Sequence, residues 1–157
     1  MQKQLIKWYQ ENKRDFPWRK DQDPYHIWIS EIMLQQTTTE TVIPYYNRFL
    51  KNFPNVEALA SASLEEVYKM WEGLGYYRRA KHIHESAQII LEKYQGVFPY
   101  EYDAILSLKG IGEYTAGAIS SIAYGKQVPA VDGNVLRIIS RYYLIKENIA
   151  ETKVQKK

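Results

Sequence analysis

The sequence predicts an all-α protein, on three observations. Apolar residues recur at helical spacing along the whole chain, and no segment shows the two-residue alternation of a strand. Pro17, Pro24, Pro54, Pro99 and Pro129, with Gly73 and Gly75, fall between these patterns, where residues that break or reverse a helix belong. Ser63-Leu64-Glu65-Glu66 is a capping box, in which a hydroxyl and a carboxylate three residues apart satisfy each other's backbone amides at a helix start.

Taken in order, the first helix is expected over Gln2 to Asn12 and the second over Tyr25 to Gln36. Within the second, His26 to Leu34 is apolar almost all round, the mark of a helix at the centre of a fold. Glu31 lies inside it, where an acid is costly unless it is protonated or paired with a cation such as Arg14 or Arg19. The third helix covers Glu40 to Lys51 and the fourth Leu64 to Trp71, opened by the capping box and closed by Gly73 and Gly75. The fifth runs from Tyr76 to Tyr94, with His82 and His84 facing different directions on its surface.

The sixth and seventh helices, Glu101 to Leu106 and Tyr114 to Tyr124, are joined by a Gly110-Ile111-Gly112 hairpin. Glycine on each side lets the backbone turn tightly and approach another molecule. The amides of Gly112 to Tyr114 stand unsatisfied at the next helix start, where an anion is favoured. Such a hairpin holds a nucleic-acid backbone without reading its bases. The seventh helix is built of small residues, and the eighth, Asn134 to Leu144, follows Val131-Asp132-Gly133-Asn134-Val135. Asp132 reads either as an ordinary N-cap or as an acid placed for chemistry. The last residues, 146–157, have mixed charge and little periodicity and read as a frayed or truncated tail.

A chain of 157 residues with 45% hydrophobic and 25% charged residues suits one globular domain. No apolar run approaches the ~20 residues that span a bilayer, and the first residues lack the apolar core of a signal peptide, so no membrane partner and a cytoplasmic home are expected. There is no cysteine, and the three histidines lack ligand spacing, so neither a metal site nor a cofactor is expected in this chain. A net charge of +3 permits nucleic-acid binding without establishing it. The 14 tyrosines and 4 tryptophans suit a helical core and base stacking alike.

Five motifs occur in a fixed order: Pro17-Trp18-Arg19, Ser30-Glu31-Ile32-Met33-Leu34-Gln35-Gln36-Thr37, Gly73-Leu74-Gly75-Tyr76-Tyr77-Arg78-Arg79-Ala80, the hairpin stretch, and Val131-Asp132-Gly133-Asn134-Val135. Together they closely resemble adenine DNA glycosylases of the MutY family, in the helix-hairpin-helix superfamily that includes endonuclease III. The resemblance covers nearly the whole chain. It implies a helix-hairpin-helix glycosylase fold with a six-helix barrel over residues 25–131, its hairpin unit at 101–124. Residues 1–24 would form an N-terminal helix and loop packing with a second helical domain, of which 132–157 are the start.

The activity implied is removal of adenine mispaired with 8-oxoguanine or guanine in duplex DNA, by hydrolysis of the N-glycosidic bond after the base leaves the stack. By resemblance Glu31 protonates adenine at N7, Asp132 stabilises the cationic sugar, and Asn134 orients the pair and the water, in the two-carboxylate logic of glycoside cleavage. Gln36 and Tyr76 would be wedge residues with Leu74 nearby, while Trp18, Arg19, Leu34 and Thr39 belong to the base-binding region and Gly110 and Gly112 to the phosphate grip. Bifunctional relatives carry at position 114 a lysine that attacks the sugar; Tyr114 cannot form a Schiff base, which implies a monofunctional enzyme. Tyr114 then reads either as a support for the sugar or as a core tyrosine.

Lys109 stands where family hairpins usually have proline, making the turn less preorganised but adding a positive charge. Thr39 replaces a usual valine and puts a hydroxyl at the wall of the adenine pocket. The cysteines that bind the family's [4Fe-4S] cluster and the domain that recognises 8-oxoguanine do not occur in the chain. Leu5, Ile6, Trp8, Ile138 and Ile139 are therefore expected to lose partner surface and favour self-association, and adenine removal to be weak and poorly selective. The rival reading is a catalytically impaired fragment acting only as a duplex-DNA-binding module, with Arg78, Arg79 and Lys81 on phosphates and the acids purely structural.

Overall fold

In the computed structural model, residues 2–149, 151 and 154 are described, and among them the regular structure is helical throughout. The helices are α1 (Gln2–Asn12), α2 (Pro24–Leu34), α3 (Thr39–Asn52), α4 (Val56–Ser61), α5 (Leu64–Trp71), α6 (Arg78–Tyr94), α7 (Tyr102–Leu106), α8 (Glu113–Tyr124) and α9 (Gly133–Tyr142). A 3₁₀ turn, Pro17–Arg19, precedes α2. All eight expected helices are present. The tail read as frayed lies partly outside the described residues.

The apolar character of α2 places it at the centre, with eight of its eleven residues buried. It packs against α8, α3 and α6, while α6 carries α4 and α5, and α7 leans on α8. Large aromatics fill the space between: Trp28 lies 5.4 Å from Phe98, and Phe49 meets both Phe53 and Trp71 edge-on. Helices α1 and α9 bury no residue, and Leu5, Ile6, Trp8 and Ile138 are each 58% exposed.

Local chemistry explains the boundaries. The Asp23 carboxylate accepts the Tyr25 amide at 2.8 Å, and Pro24 occupies the first position of α2, where a missing amide costs nothing. At α5 the capping box closes as expected: the Ser63 amide donates to Glu66 Oε2 at 2.8 Å, and the Glu66 amide donates to Ser63 Oγ at 3.2 Å. Replacing Ser63 by alanine is expected to cost about 1 kcal/mol, read as a lower urea midpoint at unchanged slope. An unmoved midpoint would show the box to be idle.

The structure corrects several expectations. Helix α4 was not read from the sequence, because six residues are too few for a periodic signal; its trace is Asn55, whose side chain accepts the Ala58 amide at 2.9 Å. Pro24 is the first residue of a helix rather than a separator, and the sixth proline, Pro44, lies inside α3. Tyr76 does not begin α6, which starts at Arg78, because its φ of 50° is left-handed. His84 is buried rather than on the surface, its ring nitrogen 2.9 Å from the Ala62 carbonyl, tying α6 to the turn before α5.

Candidate active site

Burial of α2 takes Glu31 into the interior, where it is 4% exposed. Its partner is Arg19, whose Nη2 lies 3.4 Å from Glu31 Oε1. Arg14, the other cation within sequence reach, pairs instead with Glu40 and covers the ring of Phe16.

Tyr114, in the first turn of α8, lies within electrostatic reach of both acids. Burial first, then the charge of Glu31 and hydrogen bonding to it, then the charge of Asp132, push its hydroxyl up to about 12, with Arg19 acting the other way. One phenol thus experiences both carboxylates and the arginine. It remains neutral at ordinary pH, a donor beside an acid.

Asp132 is the N-cap of α9. Its Oδ1 accepts the amides of Asn134 and Val135 at 3.0 and 2.8 Å, and its Oδ2 accepts the Asn134 side-chain amide at 2.8 Å. Burial pushes its carboxyl up, but those hydrogen bonds outweigh it and hold the group below the usual carboxylate range. Asp132 is therefore a true cap, as one of the two sequence readings had it, and the capping bonds keep it ionised. Asn134 is fixed in turn by Arg137, which donates to its side-chain oxygen. The sequence reading missed Arg137, although its i+3 spacing from Asn134 on one helix face was a signal.

What brings Asp132 close to α8 is Gly117. A side-chain carbon there would lie 2.1 Å from the Pro129 carbonyl oxygen and 3.0 Å from its carbon. Only the missing Cβ lets residues 129–130 lie against α8, just before Asp132.

Trp18, Arg19, Leu34 and Thr39 line one pocket of about 340 Å³, which Trp8, Tyr9 and Asn12 of α1 also line. Trp18 is 1% exposed, stacked 5.0 Å from Phe16 and edge-on to Tyr46, so it acts as a wall set into the core.

Gln36 and Tyr76 border a second, open groove of about 770 Å³ with Tyr77, Arg78 and His82. Both have left-handed backbones, φ 59° and 50°, and Tyr76 is 62% exposed. Leu74, expected beside them, is instead a core residue at 6% exposure. Its amide donates to the Trp71 carbonyl, and its side chain belongs to the same buried cluster as Trp71.

In the hairpin only Gly110 uses glycine's freedom, at φ 77°; Gly112 is extended and caps α8 without a side-chain hydrogen bond. Lys109 adds no free charge, because its ammonium lies 3.0 Å from Glu85 on α6. Arg79, a phosphate contact in the rival reading, is buried, whereas Arg78 is exposed and Lys81, also exposed, lies 4.0 Å from Glu85. The iron–sulfur cluster implied by the resemblance finds no thiolate ligand in a chain without cysteine. Among the described residues no helix is long and apolar enough to cross a membrane.

Comparison with known proteins agrees with this architecture. The profile for HhH-GPD superfamily base excision DNA repair proteins matches residues 29–157. The chain is 48% identical over 154 residues to the adenine DNA glycosylase of Buchnera aphidicola from Acyrthosiphon pisum, covering 98% of this chain and 44% of that protein. It is 43% identical over 159 residues to the human adenine DNA glycosylase, covering 96% of this chain and 29% of that one. The chain thus spans less than half the length of these curated relatives. Among solved structures, a thermostable thymine-DNA glycosylase superposes with a TM-score of 0.88 at 32% identity, over 97% of this chain and 72% of that one. An endonuclease III bound to DNA gives 0.77 at 23% identity, over 96% and 74%, and shares the fold. A central apolar helix bearing a buried glutamate, a glycine hairpin opening α8 and a capped aspartate opening α9 are thus found together with these similarities, and the chain belongs to the HhH-GPD superfamily of base excision DNA repair proteins.

Proposed function

We propose that the chain is the catalytic part of a monofunctional adenine DNA glycosylase acting on duplex DNA that holds adenine opposite 8-oxoguanine or guanine. The observation that carries this reading is the buried Glu31 carboxyl, 3.4 Å from Arg19, with the capped Asp132 close enough that both carboxylates act on the Tyr114 phenol. Two acids in unlike settings, one buried and one held ionised by a helix start, are what bond cleavage with an oxocarbenium-like sugar requires. The adenine glycosylases at 43% and 48% identity support adenine as the base.

In this mechanism the flipped adenine enters between the pocket wall of Trp18, Leu34 and Thr39 and the Glu31 carboxyl. Glu31, which takes up a proton from solvent before the base is engaged, passes it to N7, and the electrons of the C1′–N9 bond leave with the base. The positive charge on the sugar is met by the Asp132 carboxylate. Water then adds at C1′, its proton returning to Glu31, and the products are free adenine and an abasic site. Asn134, fixed between Asp132 and Arg137, keeps the carboxylate aimed at the sugar. Gly110 and Gly112, with the exposed first amides of α8, hold the phosphate backbone, and Gln36 and Tyr76 fill the space the base vacates.

The test is release of free adenine from an A:8-oxoguanine duplex in single turnover, with borohydride added in parallel. Adenine should appear without a trapped protein–DNA adduct, because position 114 offers no amine. Efficient trapping would overturn monofunctional chemistry. Salt-dependent duplex binding with no adenine released would leave a DNA-binding module instead.

A further inference from the structure

We infer that Arg79 is a positioning residue whose single guanidinium locks the turn carrying Gln36 to the turn carrying Tyr76, so that the two exposed side chains act as one rigid jaw. As to use, this rests on the reading above, in which both side chains enter the duplex.

Arg79 is 8% exposed, in the first turn of α6. Its Nη1 donates to the carbonyls of Ile32, Met33 and Gln35 at 2.9, 2.9 and 2.6 Å, at the end of α2. Its Nη2 donates to the carbonyls of Gly75 and Leu74 at 3.2 and 3.5 Å and to Thr37 Oγ1 at 3.4 Å. The planar head lies 5.4 Å from the ring centres of Trp71 and Tyr76. Among the described residues its partners are carbonyl and hydroxyl oxygens and aromatic rings, with no carboxylate at salt-bridge distance. The cation is stabilised by the carbonyl end of α2 rather than by an acid.

The placement of those oxygens points to a lock rather than a general core staple. The Gln35 and Gly75 carbonyls belong to the peptide units that lead directly into Gln36 and Tyr76, the residues with φ of 59° and 50°. A left-handed backbone is strained for a residue with a side chain and persists only where its surroundings hold it. One arm of the fork holds each unit. Lysine, with one nitrogen, cannot serve both.

The same helix face reaches the phosphate hairpin. His82 lies where a side chain on Gly110 would collide with it, at 2.9 Å, and Ser86 Oγ donates to the Lys109 carbonyl at 3.2 Å. Positions 79, 82 and 86 stand at helical spacing, so the jaw and the hairpin are fixed about 10 Å apart on one rod.

Hydrogen exchange of the free chain tests the lock directly, with Arg79→Met and Arg79→Lys. In both variants, residues 35–37 and 74–77 should exchange at least tenfold faster together, while α8 and the centre of α6 keep their protection. A second arm places 2-aminopurine at the adenine position opposite guanine; at equal bound fraction its fluorescence rise should fall about tenfold in both variants. If either turn keeps its parent exchange rate, or if lysine restores both turns, the lock is wrong. Acceleration across all helices in both variants would make Arg79 a core staple and also overturn it. Coupled loosening with no fluorescence rise even in the parent supports the lock and instead overturns the extrusion reading.

Discussion

Exchanging Glu31 for glutamine is expected to lower adenine release about a thousandfold in single turnover, the middle of the range for removing a general acid. Glutamine keeps the volume at a site 4% exposed but has no proton to give to N7. Duplex binding should change less than threefold, because the phosphate grip is made of backbone amides and glycines at the start of α8, to which the Glu31 side chain contributes no group. Asp132→Asn is the companion measurement. Asparagine caps a helix as well as aspartate does, so α9 should start where it does now, while the negative charge beside the sugar is lost and the rate falls at least a hundredfold. The two variants separate further in acid. The parent cap is held below the usual carboxylate range, so its contribution to stability is complete above an unfolded value of about 3.9 and is lost as pH falls through the lower folded value. The asparagine cap should not respond to pH there. Wild-type rates in both variants would remove these acids from the chemistry.

A second large effect is expected from a position that touches no substrate. Gly117→Ala should slow adenine release about a hundredfold. The added carbon would sit 2.1 Å from the Pro129 oxygen, where about 3 Å is the closest real approach, and backbone cannot rotate away as a side chain can. Residues 129–130 must retreat by nearly 1 Å, and Asp132 follows two residues later; a displacement of that size is worth about a hundredfold in a preorganised site. Alanine favours helix over glycine by up to about 1 kcal/mol, so helix propensity works against any loss and isolates the contact. The overpacking itself should cost about 1 to 3 kcal/mol, visible as a lower Tm with helical circular dichroism retained. An unchanged rate in a variant with a raised Tm would show that the segment bearing Asp132 is not held by this contact.

These two experiments probe residues that were unequally visible in the sequence. Glu31 could be singled out because it interrupts an apolar helix, and Asp132 because it precedes one; both signals are local. Gly117 was read only as one of several small residues on α8, since nothing within the helix says that a carbonyl from twelve residues later lies against it. Arg79 was misread for the same reason. A run of Arg78, Arg79 and Lys81 looks like a basic surface, whereas Arg79 is turned inward by carbonyls up to 47 positions away. Lys109 promised a free charge to phosphate until Glu85, on a different helix, was seen to hold it.

What the sequence by itself determined is every described helix but α4, their order, the glycine hairpin and the two acids. Those follow from periodicity, caps and breakers, which act between residues a turn or two apart. Only the tertiary structure decided which cation pairs with Glu31, how the 129–130 backbone comes to lie against α8, and what holds the Gln36 and Tyr76 turns. Each of these depends on backbone carbonyls and missing side-chain atoms, which every sequence contains and which acquire meaning only once helices pack against one another.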